Sequence, residues 1–513
     1  MNRYYRFHIT KKSVCRCAIQ IISCIAFLGA MGLLVPPADA KPVMTLAPSV
    51  EPQGVDVNSV LMQFPDDTLY TKADINSSTG RTVFIRKSQF PDDYSLEGLK
   101  TGTINGKDGF SPAGPVFFKV EGHPDESSLY HGGLDNTCPI KIYNLSTGKE
   151  VKISVTRVQA SDDADIIYAY PVGRFHSGKH IALVTKGLKS NGVAVKDSPF
   201  LEPFINTHPE SDKILYFLKN RNIEKEDLIS LRVFTVASAD SYKKPVDEIV
   251  KKIEASTPDY CGGSTEQEMV VKRHVENSLP YYKAKGKLNF QQFFNKQRGM
   301  LISKHKIKHQ CVEFTIFYPK GYKNPGPVLL LGHPLNGSID TSMRYIYPAL
   351  KQGYAVIGID FPYHGSRGRL KYSLEGLWYL FNQGAADMFS LSHSLGTTLS
   401  TLDLFPKDGR ADLDQERVSY LGISLGSILG QLTVAKGGIK SAYFKTGGVN
   451  IGEMIALGKD FEFFRRLIVP KEFNKQKEAA FLAMLQGGFI LDGAYYMDEI
   501  VSNYSAPSKG WLL

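Results

Sequence analysis

Beyond residue 40 the sequence holds no apolar run long enough to span a bilayer, no CxxC pair and no His-rich cluster. Those gaps exclude a polytopic membrane protein and give no support to a bound metal or other cofactor. Low-complexity tracts are missing too, so a disordered tail protein is excluded; 42% of the residues are hydrophobic and 22% charged, the balance of packed globular protein. Basic residues are scattered singly and form no stripe, so nucleic-acid binding has no footprint, while contact with an anionic membrane surface is permitted. At 513 residues the chain is too long for one core. Oligomeric state is left open.

The N-terminus reads as an export signal. Arg3, Arg6, Lys11, Lys12 and Arg16 precede an apolar stretch from Cys17 to Val35, Pro36-Pro37 breaks it, and Ala38-Asp39-Ala40 fits signal peptidase, with Lys41 as the mature start. The expected address is secreted, periplasmic or cell-surface; an uncleaved anchor is the alternative, because the apolar run is long for a leader. Ile21-Ile22-Ser23-Cys24 is a loose lipobox, but Arg16 leaves it almost no apolar stretch upstream. Removing those five basic residues and Asp39 lowers the formal charge from +10 to +6. Cys15, Cys17 and Cys24 leave with residues 1–40. Cys138, Cys261 and Cys311 remain in an oxidising compartment; Cys261 and Cys311 can pair, but connectivity is not deducible from spacing.

Residues 41–240 read as β-rich, the pattern of an Ig-like β-sandwich. Short strands are expected at Thr82–Arg86, Val116–Val120, Ile140–Leu145, Val151–Val158, Ile166–Val172, Ile181–Thr185 and Leu231–Val236, interrupted by one helix that Ser211-Asp212 can cap. Residues 241–310 read as a connector with a helix near Val246–Ile253. From 311 to 513 the texture becomes βαβ, a mostly parallel sheet with strands at Val312–Tyr318, Pro327–Gly332, Tyr354–Ile359, Val418–Gly422 and Ser441–Phe444. Between the third and fourth of these, the aromatic stretch Tyr372–Phe389 has the position of a lid or acyl pocket, though a core-packing helix is the stronger reading.

Chemistry concentrates at Gly422-Ile423-Ser424-Leu425-Gly426. A G-x-S-x-G pentapeptide is weak alone, but this one follows an apolar strand and opens the small-residue helix Ser427-Ile428-Leu429-Gly430. That is the strand–turn–helix setting of an α/β-hydrolase nucleophile elbow, with Ser424 as nucleophile. His333-Pro334-Leu335-Asn336-Gly337 follows the earlier strand where such folds carry their oxyanion loop, so the N–H groups of Leu335 and Leu425 are the expected oxyanion donors. Pro334 stands where Gly is usual. His333 reads as a loop-fixing residue. Asp360-Phe361-Pro362-Tyr363-His364-Gly365-Ser366-Arg367 resembles the D-x-P-x-H-G-x-S segment that shapes the loop after the next strand.

On residues 328–337, 354–367 and 417–430 the chain resembles bacterial extracellular lipases of the virulence-factor type, in which a β-domain precedes an α/β-hydrolase. The resemblance implies hydrolysis of carboxylic esters, lipids among them, through an acyl-enzyme on Ser424.

One part is absent. The triad of this fold runs Ser, Asp or Glu, then His in chain order, yet all 12 histidines precede Ser424. Glu453, Asp460 and Asp492 offer acids; His364 and His393 are the base candidates left. Because helical segments follow Ser441–Phe444 where two more strands are expected, the hydrolase region reads as incomplete at its C-terminus. Three readings stay open: a shortened frame without a working triad, a base supplied from elsewhere, and a non-catalytic secreted or surface interaction protein that keeps a degenerate hydrolase fold.

Overall fold

The structure, a computed structural model, describes residues 63–85, 104–129, 138–162, 164–263, 265–276, 279–297, 299, 301–302, 307–369, 373–471 and 473–504. The export signal, Cys15, Cys17 and Cys24 lie outside them. All the described residues belong to one compact unit.

The β-rich part is built from β1 (Gln63–Phe64), β2 (Val116–Glu121), β3 (Ile140–Asn144), β4 (Ile153–Ser161), β5 (Ala164–Pro171), β6 (Gly178–Thr185) and β7 (Leu228–Val236). They form two antiparallel sheets, β1-β2-β5-β4 and β7-β6-β3. Alternation along β6 explains the layering. Ala182 and Val184 enter the core shared with β2 and β5, while Ile181 and Leu183 face a second cluster. That second cluster is closed by helices α1 (Leu201–Thr207) and α2 (Ser211–Lys219), which bring Leu201, Ile214 and Leu218. The two sheets therefore carry a helical pair on one outer face, where the sequence suggested a single intervening helix.

Residues 241–310 require a correction, because they are no connector. Helix α3 (Ala239–Glu254) runs into this stretch, and β8 (Lys272–Glu276) and β9 (Leu279–Gln292) open a further sheet. β9 buries Ala284, Leu288 and Phe290 on alternate positions, with lysines between them, so its period-two signal was masked by charge. A disulfide joins Cys261 to Cys311 with Cα atoms 5.9 Å apart, tying this stretch to β10 (Lys308–Pro319); Cys138 is buried.

β11 (Gly326–Gly332), β12 (Ala355–Ile359), β13 (Leu413–Ile423) and β14 (Ser441–Lys445) complete a seven-stranded sheet ordered β8-β9-β10-β12-β11-β13-β14. β8, β9, β10 and β12 pair antiparallel in sequence; β12, β11, β13 and β14 run parallel. Central β11 is the continuous apolar run that a strand with two parallel neighbours demands. Chain order reverses about β11, since β12 lies on one side and β13 on the other. Doubly wound sheets open their binding crevice at such a switch point, beyond the carboxyl ends of the strands.

Helices α4 (Met343–Lys351), α5 (Leu374–Leu395), α6 (Leu425–Leu429) and α7 (Gln431–Lys436) flank the sheet. Ser373 Oγ caps α5 by accepting from Gly376 N–H at 3.1 Å, and almost every side chain of that helix is buried, Trp378 completely. Tyr372–Phe389 is thus largely core helix. After β14 come α8 (Ile451–Leu457), α9 (Glu462–Ile468), α10 (Lys475–Leu485) and α11 (Met497–Tyr504). Ala479, Ala483 and Met484 of α10 join the apolar cluster of the β-rich part, which welds the two parts together. Among the described residues no helix is long and apolar enough to cross a membrane.

Candidate active site

β13 ends at Ile423 and Ser424 turns the chain into α6 with φ 50° and ψ −110°. A non-glycine residue held there stores about 1–3 kcal/mol of strain, which the surroundings must impose. They do so at three points. Ser424 N–H donates to Lys445 O of β14 at 2.8 Å, and the Ser424 carbonyl accepts from Ser427 N–H at 2.9 Å. Ser427 Oγ lies within 2.7 Å of Gly422 O and 2.9 Å of Lys445 O. Tyr420 Oη donates to Gly426 O at 2.6 Å. The flanking glycines are steric necessities: a Cβ on Gly422 would lie 2.6 Å from Ser427 Cα, and one on Gly426 would collide with the Gly332 carbonyl.

That close approach sets the oxyanion loop against the elbow. Gly426 N–H donates to His333 O at 3.1 Å, so the start of α6 is bonded to the residue that follows β11. Pro334 has no N–H but uses its carbonyl twice, accepting from Gly337 N–H at 3.0 Å and from His333 Nδ1–H at 2.8 Å. His333 Nε2 in turn accepts from Phe361 N–H at 2.9 Å. Both ring nitrogens are thereby committed, and burial pushes the imidazole down to about 4, so it is neutral. His333 fixes the loop. Among the described residues, neither Leu335 N–H nor Leu425 N–H donates to a protein acceptor.

Asp360, at the end of β12, holds this loop from below. Its carboxylate accepts from Ile339 N–H at 2.9 Å, Ser366 N–H at 2.7 Å and Ser366 Oγ at 3.0 Å. Arg367 donates to Asp360 O at 3.2 Å and pairs with buried Asp387 on α5 at 2.6 Å.

The remaining candidates stand in other settings. His364 Nδ1–H donates to Pro362 O at 2.9 Å, its ring 5.2 Å from that of His333, and burial lowers its pKa. His393, on α5, donates from Nε2 to Ser256 O at 2.8 Å. Asp492 accepts from Asn450 N–H at 3.0 Å, Ile451 N–H at 2.6 Å, Ala494 N–H at 2.8 Å and Gln486 Nε2 at 3.0 Å, so it caps α8 and the following turn. Glu453 lies in the first turn of α8; burial, then the charge of Asp492, pushes it up to about 7. Asp460 is exposed. None of these five shares a hydrogen bond with Ser424, whose hydroxyl makes none with any described residue. Sequence reasoning missed Tyr420, Ser427 and the carbonyl of Lys445 as the clamps of the elbow; the hydroxyls flanking the pentapeptide are the only signal that could have found them.

Among the described residues no group of three or more His, Cys, Asp and Glu is placed to hold a metal ion. Strand order, parallel centre and strained elbow are those of an α/β-hydrolase.

No family model matches the chain, and no curated protein does. Among solved structures, acetyl xylan esterase 1 from Thermoanaerobacterium sp. JW/SL YS485 is 12% identical over 49% of this chain and 74% of its own, with a TM-score of 0.28. A candidate acetyl xylan esterase from Bacteroides fragilis NCTC 9343 is 14% identical, with 40% and 53% covered and a TM-score of 0.25. A cold-adapted esterase from an Arctic intertidal metagenomic library is 17% identical, with 38% and 70% covered and a TM-score of 0.22. The chain spans about half the length of the Bacteroides protein. At these scores the fold rests on the topology and the elbow themselves.

Proposed function

We propose that this protein is an exported carboxylic-ester hydrolase of the extracellular virulence-factor lipase type, with an Ig-like β-region ahead of the hydrolase and Ser424 as its acyl nucleophile. The observation that carries the reading is the backbone of Ser424, held at φ 50° at the carboxyl end of β13 beside two unspent N–H groups. Such strain persists only where the surroundings enforce it. In the proposed reaction Ser424 Oγ attacks the ester carbonyl, the N–H groups of Leu335 and Leu425 stabilise the oxyanion, and the alcohol leaves as the carbonyl re-forms on the serine ester. Water then releases the acid.

The serine proton needs an acceptor, and no described side chain bonds to Ser424, so turnover by these residues alone is slow. Hydrolysis of short- and long-chain nitrophenyl esters by the parent and by Ser424→Ala tests the proposal. A rate above background that Ser424→Ala abolishes supports it; identical rates sink it.

A second reading, a secreted or surface interaction protein with a degenerate hydrolase fold, is favoured by His333 having both ring nitrogens bonded and by His364 and His393 making no hydrogen bond to Ser424. It predicts a well-folded protein without any Ser424-dependent chemistry.

A further inference from the structure

A cleft separate from the elbow lies where the β-rich part meets α3, α10 and the turn before α11. Its space, counted out into open solvent, is about 760 Å³. None of its lining residues belongs to the elbow or the oxyanion loop. The wall is made mostly of apolar side chains, including Phe110, Phe234, Met484 and Ile490, and Ser111 and Tyr495 add hydroxyls.

Among the described residues of the lining, Lys107 is the one basic residue and none is acidic. Its neighbour Asp108 is spent on the start of α3, accepting from Ser238 N–H at 3.2 Å and from the hydroxyls of Ser238 and Ser241. Lys107 itself makes no ion pair or side-chain hydrogen bond with any described residue, and burial lowers its pKa, with Asp108 offsetting part of the effect. An ammonium in apolar surroundings whose nearby carboxylate is bonded to other donors carries a cost that an anionic ligand head would recover.

We propose that this cleft binds a long-chain monocarboxylate, its tail against the aromatic wall and its carboxylate on Lys107. A free fatty acid fits better than a two-chain phospholipid, because the described lining joins one apolar wall to a single cation. The proposal does not depend on Ser424 being catalytic.

Displacement of a fluorescent fatty-acid probe from the full chain at neutral pH tests it. Oleate should displace the probe, and oleyl alcohol should bind about tenfold more weakly, as expected for the loss of one charge-assisted contact. Lys107→Met should weaken oleate about tenfold and leave oleyl alcohol unchanged, Lys107→Arg should keep oleate binding, and Ser424→Ala should bind like the parent. The proposal is overturned if oleate fails to displace the probe, if oleate and oleyl alcohol bind equally, or if Lys107→Met binds oleate like the parent. Lys107-dependent binding to dioleoylphosphatidylglycerol vesicles without binding of free oleate would overturn it as well.

Discussion

Two buried aspartates, Asp360 and Asp492, each organise a turn cluster, and they do opposite things for the site. Asp360 is 7% exposed and accepts three hydrogen bonds that brace the loop after β11, where the Leu335 N–H makes none with a described residue. Asp492 is 1% exposed and accepts four, closing a knot between the start of α8 and the turn before α11. A triad acid needs an oxygen to offer a histidine. Asp492 has spent both on backbone and amide donors. The carboxyl end of the sheet is thus built to present groups, whereas the segment after β14 is built to satisfy its own.

The contrast is broken most forcefully at the knot. Asp492→Ala strands four buried donors and should cost about 4 kcal/mol in urea unfolding, against about 2 kcal/mol for Asp360→Ala, whose loop can reach solvent. Only the second should slow Ser424-dependent ester hydrolysis in protein that remains folded. Equal costs would mean that the two clusters are interchangeable.

The two regions should also respond to acid with opposite sign. His333 is held at about 4, below the usual 6.5, so the unfolded chain takes the proton first and stability falls as pH drops from 6.5 toward 4. The full shift corresponds to about 3 kcal/mol. Glu453 is pushed up to about 7, above its usual 4.5, so the folded form takes the proton first and stability rises as pH drops from 7 toward 4.5. Partial exposure reduces that effect to about 2 kcal/mol. Urea midpoints across pH for His333→Gln and Glu453→Gln, each against the parent, should remove the corresponding slope; two slopes of the same sign would refute the contrast.

The smallest effect belongs to the elbow. Ser424→Gly relieves the positive φ and should gain about 1 kcal/mol, while Ser424→Ala, which keeps the strain, should not. Equal thermal midpoints for the two variants would mean that the turn is unstrained in solution.

Much of this architecture was legible because the signals were local. Alternation marked β2, β3, β5 and β6 to within a few residues, and a continuous apolar run marked β11 as a central parallel strand. The pentapeptide placed the elbow because steric need for Gly422 and Gly426 is written in the sequence itself. What failed to read was non-local. β9 hides its apolar face among lysines, so residues 241–310 looked like a connector until pairing with β10 gave them a sheet to join. The roles of Asp492 and Glu453 depend on α8 meeting a turn some 40 residues later, which spacing cannot reveal. His333 was readable as a loop residue from its place directly after the β11 run, but its neutrality comes from burial.

Exposure of the parent protein to a fluorophosphonate probe, followed by peptide mass mapping, tests the central claim most directly. A single adduct on Ser424, formed slowly and absent from Ser424→Ala, is the predicted result. Labelling that is the same in the parent and in Ser424→Ala, or an intact parent that carries no adduct at Ser424, would contradict it.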